Sequence, residues 1–194
     1  FRRVLFRSAI LPLATDRARD TLMAWGLTDF RRRFGRDSLG CWLPECAVDI
    51  PTLETLVDHG IRYTVLTPEQ AARVRHPGGP WVAVDAESLD TNRTYFVRLP
   101  SGRSIAVCFA HGRVSRSIAF DGMLSDGAHF ADAIRACFSP DPRAQLVAIV
   151  TDGETFGHHH RFGEMALAWA LQTLEREGVH ITSFDAHQIG RAHV

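Results

Sequence analysis

Apolar residues recur along this chain with two different periods, and the switches between them mark its elements. Thr15 and Asp16 can cap a helix running to about residue 33, with Ala18, Leu22, Trp25 and Phe30 on its apolar side and Gly35 at its end. Residues 39–43 form a short apolar run that Pro44 turns sharply, exposing Glu45. Asp49 and Pro51 then open a helix whose Leu53, Leu56 and Val57 share one face, closed by Gly60. Residues 61–66, β-branched and aromatic, read as the next strand, and residues 67–70 begin another helical turn. This strand–helix–strand rhythm predicts a right-handed parallel crossover.

The run His76-Pro77-Gly78-Gly79-Pro80 breaks the rhythm. Beyond it, residues 94–99 and 104–109 flank Pro100-Ser101-Gly102-Arg103 as the arms of a hairpin. That is a small antiparallel insertion, whose second arm could return into the main sheet. Residues 125–137 read as a helix ended by Pro140 and Pro142. Residues 146–150 are unbroken apolar sequence, as in a strand covered on both faces. Residues 161–177 form a helix with one stripe of Phe162, Met165, Ala166 and Trp169 and a second of Leu167, Ala170, Leu171 and Leu174. Two stripes predict deep burial, and residues 181–184 start one more strand. The fold class is therefore α/β, with a mostly parallel sheet and a small antiparallel insertion.

Composition narrows the function. The 22 basic residues are matched by 22 acidic ones, so neither a nucleic acid nor an anionic membrane is indicated as a partner. No apolar run approaches the roughly 18 residues of a membrane span. Cys41, Cys46, Cys108 and Cys137 show neither metal-ligand nor disulfide spacing and read as small buried thiols in a reducing cytoplasm. The terminal segments 1–8 and 189–194 match translations of the two strands of a sequencing adapter, so the domain is expected to occupy residues 9–188.

Two stretches carry the candidate chemistry: Trp42-Leu43-Pro44-Glu45-Cys46-Ala47, and Thr151-Asp152-Gly153-Glu154-Thr155-Phe156-Gly157-His158-His159-His160. Each follows an apolar run and turns around a carboxylate. In parallel α/β folds, residues just past the carboxyl ends of strands face the ligand. Carboxylates after strands are more often helix caps than catalysts, so position alone decides little. The first stretch, however, resembles the nucleophile segment of glycoside hydrolase family 57. The second resembles that family's acid/base segment and follows it in the same order. A branch of the family with three histidines after the glycine is most similar.

The resemblance implies a (β/α)7-type barrel, incomplete over this chain, and a retaining glycoside hydrolase or glucanotransferase acting on α-linked glucans or related oligosaccharides. It implies Glu45 as nucleophile, Asp152 as general acid/base, and no cofactor or metal. Trp42 could stack on a sugar face, His158 would hydrogen-bond sugar hydroxyls, and Phe156 would supply apolar wall. His111, which follows a strand, could line the same pocket. Members of the family close about seven parallel strands, against four or five candidates in this chain. Residues 9–188 alone are therefore expected to be inactive.

The main rival takes His158 and His160, with Asp152, as zinc ligands of a deacetylase-like metal hydrolase. Adjacent residues on an extended chain point to opposite sides, so His159 could not join them. A non-catalytic carbohydrate-binding relative is the third reading. The two-carboxylate reading accounts for more of the residues.

Overall fold

The structure, a computed structural model, describes residues 9–191 and divides into two compact units. The first holds the residues up to Leu66 together with Thr94–Cys108, and the second holds Thr67–Arg93 and the residues from Phe109 onward.

In the first unit, α1 (Asp16–Phe34) starts where the Thr15 hydroxyl accepts the Ala18 N–H and ends at Gly35 in the left-handed region, φ 66°. β1 (Gly40–Cys41) runs parallel to β2 (Tyr63–Leu66), with Gly40 opposite Tyr63 and Cys41 opposite Thr64. Between them lies α2 (Ile50–Asp58), capped by the Asp49 carboxylate on the Thr52 N–H. A Cβ at Gly40 would sit 2.0 Å from the Tyr63 ring, so only glycine leaves room for that ring.

The hairpin arms are β5 (Thr94–Arg98) and β6 (Ser104–Phe109), antiparallel with Phe96 opposite Ala106. The strand order is β1-β2-β6-β5, so β6 does return into the main sheet. Leu11, Met23, Leu43, Leu53, Leu56, Ile61, Leu99 and Ile105 form the core of this unit. Fully burying each such aliphatic side chain stabilises by about 1.5–3 kcal/mol. Arg19 is buried there too, its guanidinium donating to the Leu11 and Ala14 carbonyls and to Asp16.

The second unit carries the short antiparallel pair β3 (Arg73–Val74) and β4 (Val82–Ala83). Its helices are α3 (Gly112–Phe120), α4 (Gly127–Arg135), α5 (Gly163–Arg176) and α6 (Phe184–Arg191). Its core comprises Val114, Ile118, Met123, Leu124, Phe130, Ala131, Ile134, Ala166, Ala170 and Leu174. Small residues let α4 and α5 approach closely. A Cβ at Gly127 would lie 3.1 Å from the Trp169 Cβ and 3.2 Å from the Ala166 carbonyl.

The architecture is α/β with a mostly parallel sheet and a small antiparallel pair, and the described residues close no barrel. Several local expectations need correction. The run 39–43 contributes only two paired residues, because Pro44 and the turn behind it remove the rest from the ladder. Residues 146–150 belong to no ladder. Their bonds go instead to Asn92, to the His111 N–H and to the Ser115 hydroxyl, and Val147 and Ile149 pack on the core. Residues 181–184 form no strand, and Phe184 opens α6.

Two helix faces also turn out otherwise than their patterns predict. On α1 the buried residues are Arg19 and Met23, while Ala18 and Trp25 face outward. On α5 only the stripe through Ala166, Ala170 and Leu174 is buried, leaving Phe162, Met165 and Trp169 exposed. Of the segments expected to lie outside the fold, 1–8 and 192–194 fall outside the described residues, and residues 189–191 continue the backbone of α6.

Candidate active site

The first candidate carboxylate sits on a turn that the sheet feeds directly. β1 ends at Cys41, whose carbonyl accepts the hydroxyl of the fully buried Thr64 at 2.7 Å. Trp42 follows, Leu43 plunges into the core, and Pro44–Cys46 make a 3₁₀ turn closed by the Cys46 N–H on the Leu43 carbonyl. Inside that turn Glu45 and Cys46 both adopt positive φ, 56° and 52°. Non-glycine residues in the left-handed region are strained by about 1–3 kcal/mol each and persist where the surroundings over-determine them. Two in succession are held from both sides. Cys46 is buried, and its sulfur accepts the Trp42 indole N–H at 3.2 Å. Glu45 itself is exposed. The backbone thus spends strain on presenting one side chain outward between two anchored neighbours.

Cys41 cannot compete as a nucleophile, since burial pushes its thiol up to about 11. Thr64 and Cys46 were not anticipated as supports of this turn. The four-residue spacing from Trp42 to Cys46 was the available signal, but only the turn geometry makes it a contact.

The second candidate carboxylate lies in the other unit, and its turn is built differently. Val150 is tied through its N–H to the Ser115 hydroxyl, and Asp152 precedes a 3₁₀ turn, Gly153–Thr155. Backbone bonds then stitch the loop: Thr155 N–H to Asp152, His159 N–H to Glu154 and His160 N–H to Thr155. Phe156 and His160 form a bridge, and the Gly157 N–H donates to the His160 carbonyl at 3.0 Å. Gly157 has φ 93°, where glycine alone is unstrained. Thr155 is buried beneath, with its hydroxyl 3.2 Å from that of Thr151. Asp152 and His158 are exposed, and Phe156 is half-buried against the core of this unit.

The histidines divide. His158 and His159 rings stand 4.9 Å apart, edge to face, at the surface. His160 is half-buried with Nε2 3.0 Å from the Ala119 carbonyl, a bond that ties the loop to the end of α3. That nitrogen is engaged in structure, and among the described residues no group of three His, Cys, Asp or Glu is arranged to hold a metal ion.

His111 is half-buried on the approach to this loop. Its N–H donates to the Ala148 carbonyl, and its Nε2 lies 2.7 Å from Asn92 Oδ1 and 3.0 Å from the Thr91 hydroxyl. Burial, aided by the Arg113 charge and opposed by Asp90, holds its ring below the usual imidazole range. The structure therefore places Trp42 with Glu45 on one turn, Asp152, Phe156 and His158 on another, and His111 behind the second.

The chain belongs to glycosyl hydrolase family 57, whose family model matches residues 6–188. Solved structures share its fold at low identity. An exo-type maltose-forming amylase from Pyrococcus sp. ST04 aligns with a TM-score of 0.73 at 16% identity, covering 93% of this chain and 29% of that one. A 4-alpha-glucanotransferase from Thermococcus litoralis gives 0.67 at 16%, covering 95% and 25%. A branching enzyme of the same family from Thermococcus kodakaraensis, solved in complex with glucose, gives 0.67 at 18%, covering 91% and 44%. The chain thus spans less than half the length of each of these relatives. No curated protein matches it significantly.

Proposed function

We propose that this chain carries the two catalytic carboxylates of a retaining glycoside hydrolase or glucanotransferase acting on α-linked glucans or related oligosaccharides. The observation that carries the proposal is the left-handed turn at Glu45, placed just beyond the end of a parallel strand in a chain of family 57. Strain of that kind, anchored by a buried thiol and a buried threonine, is what fixes a side chain that must meet a reacting carbon in one orientation.

In this mechanism the Glu45 carboxylate attacks the anomeric carbon. The glycosidic C–O bond breaks, and Asp152 passes its proton to the departing oxygen. Asp152, now a carboxylate, then takes a proton from water or from an acceptor sugar hydroxyl as that oxygen displaces Glu45 from the anomeric carbon. Retention by this route requires the carboxyl groups to work about 5–5.5 Å apart. The exposed Trp42 ring, held by Cys46, offers a face for a sugar, His158 offers hydrogen bonds to hydroxyls, and Phe156 offers apolar wall. His111 contributes by holding the segment that leads to Asp152. No cofactor enters any step. We assign the protein to the cytoplasm, where its four free cysteines would stay reduced. Among the described residues no helix is long and apolar enough to cross a membrane.

In the active enzyme, a 5-fluoro-α-glucosyl fluoride tests the central assignment, because it stalls a retaining enzyme at its covalent stage. Digestion and mass spectrometry should find the glycosyl adduct on Glu45. An adduct on Asp152 or on any other residue would overturn the assigned roles.

A further inference from the structure

The hairpin of β3 and β4 carries a cluster that the glycosidase chemistry does not use. In its register Arg73 stands opposite Ala83 and Val74 opposite Val82. Continuing that register places Arg75 across from Trp81. Residues two apart on a strand share a face, so Arg73, Arg75 and Trp81 lie together on one side of the ribbon and the valines on the other. The side chains confirm the pattern. The Arg73 guanidinium carbon lies 5.1 Å from the centre of the Trp81 ring and that of Arg75 lies 5.0 Å from it. All three residues are exposed.

Two guanidinium groups gathered on one indole repel each other. Several other arginines are answered by carboxylate: Arg103 reaches Glu54 and Asp58, Arg135 reaches Glu177, and Arg93 and Arg143 share Asp141. Among the described residues neither Arg73 nor Arg75 has a carboxylate partner. The nearby Asp85 is occupied with the Glu87 and Ser88 N–H groups and the Ser88 hydroxyl. The indole orders both side chains by cation–π contact while leaving their planar N–H edges free to donate.

From this geometry we infer that Arg73, Arg75 and Trp81 form a binding site for a phosphate dianion, either free or as a sugar phosphomonoester. Two forks, each able to donate two parallel N–H bonds, match a tetrahedral oxyanion with several acceptor oxygens. The cluster offers charge for a single phosphoryl group rather than a strand of them, and the chain as a whole carries no net charge. A nucleic-acid backbone is therefore disfavoured. The sugar-ester form rests on the carbohydrate reading above, whereas the anion site stands without it.

Titration of the whole chain with inorganic phosphate, glucose 6-phosphate and glucose, followed through the Trp81 indole N–H resonance, tests the inference without using turnover. Both phosphates should shift that resonance saturably in the millimolar range, and glucose should not. Tighter binding of glucose 6-phosphate than of phosphate assigns the ester, and equal binding assigns the free anion. R73Q or R75Q should weaken binding about tenfold, the loss of one charge-assisted pair. R75K should fall between, keeping charge but losing the fork. The hairpin is exposed, so none of these variants should alter the melting of the core. The proposal fails if neither phosphate moves the indole, if glucose moves it equally, or if an oligonucleotide binds more tightly than either phosphate.

Discussion

The turns at Glu45 and Asp152 each present a carboxylate outward, by different means. Around Glu45 the backbone is strained and side chains restrain it: Thr64 grips the carbonyl of Cys41, and Cys46 accepts the indole N–H of Trp42. Around Asp152 a series of main-chain bonds from Thr155 to His160 shapes the loop, Gly157 absorbs its one left-handed residue, and the Ser115 and Thr151 hydroxyls and the His160 imidazole tie it to its surroundings. The contrast suits the proposed chemistry. A nucleophile forms a covalent bond and tolerates little positional error, whereas a proton can be passed across a hydrogen bond that adjusts its length.

The largest effect should come from separating the two roles. In the active enzyme, Glu45→Gln should remove turnover of every glycoside by about 10⁴-fold or more, since no covalent intermediate can form. Asp152→Asn should cost about 10²–10⁴-fold on glucans but far less on aryl glycosides whose leaving group needs no proton. Steady-state rates on both substrate types measure the split. Equal losses on both in the Asp152 variant would remove its acid role and, with it, the functional reason for the two architectures.

Stability should distinguish the turns next. Cys46→Ala deletes the acceptor of the indole N–H and leaves the left-handed strain in place, at a cost of about 1–2 kcal/mol. Gly157→Ala puts a Cβ at φ 93° and 3.4 Å from Glu164 Oε2, with a similar cost of about 1–2 kcal/mol. The two should differ in fluorescence. Cys46→Ala should shift the emission of Trp42 as the ring comes loose, and Gly157→Ala should leave it alone. Urea melts and emission spectra of both variants decide the point. A Cys46→Ala protein with unchanged emission would mean that the thiol does not hold the indole.

The sequence disclosed the two carboxylate stretches, the α/β class, the helix caps at Thr15 and Asp49 and the hairpin around Pro100–Arg103, because each is a local signal. What it concealed was non-local. The apolar run 146–150 has the composition of a ladder strand, but its backbone partners come from Asn92, His111 and Ser115, which no local pattern reveals. On α5 the larger residues Met165 and Trp169 outweigh Ala166 and Ala170 in any hydrophobic count. Close approach of α4 nevertheless favours the alanine stripe and leaves the larger one outside. Period alone cannot choose between two stripes. For the site, residue types named the candidate chemistry, but the supports, Thr64 and Cys46, depend on how strand and turn meet.

The smallest expected effect concerns acid, and it separates the turns by what stands behind them. The approach to Asp152 is held at His111, whose backbone N–H bonds Ala148 and whose Nε2 meets Asn92 and Thr91. Burial first, then the Arg113 charge, lower its pKa below the ordinary 6.5, with Asp90 only partly opposing them. The unfolded chain therefore binds this proton more readily than the folded one. The contribution of neutral His111 is present in full above 6.5 and drains away as pH falls from there through the folded value. The approach to Glu45 is held by the Thr64 hydroxyl, which does not titrate in this range. A titrating group that follows Glu45 in the chain is the Asp49 cap, where burial raises the carboxyl but bonds from Thr52 and the Arg19 charge more than offset it. Asp49 thus ends below its ordinary 3.8, and its contribution is lost only as pH falls from there through that lower value. Between 6.5 and 3.8 the second turn should loosen while the first holds. Amide hydrogen exchange, corrected for intrinsic rate, should show falling protection at Thr155, His159 and His160 before any change at Cys46 and Ala47. In a His111→Gln variant that early loss should disappear. Simultaneous loss at both turns, or persistence of the early loss in the variant, would mean that His111 does not set the acid sensitivity of the Asp152 loop.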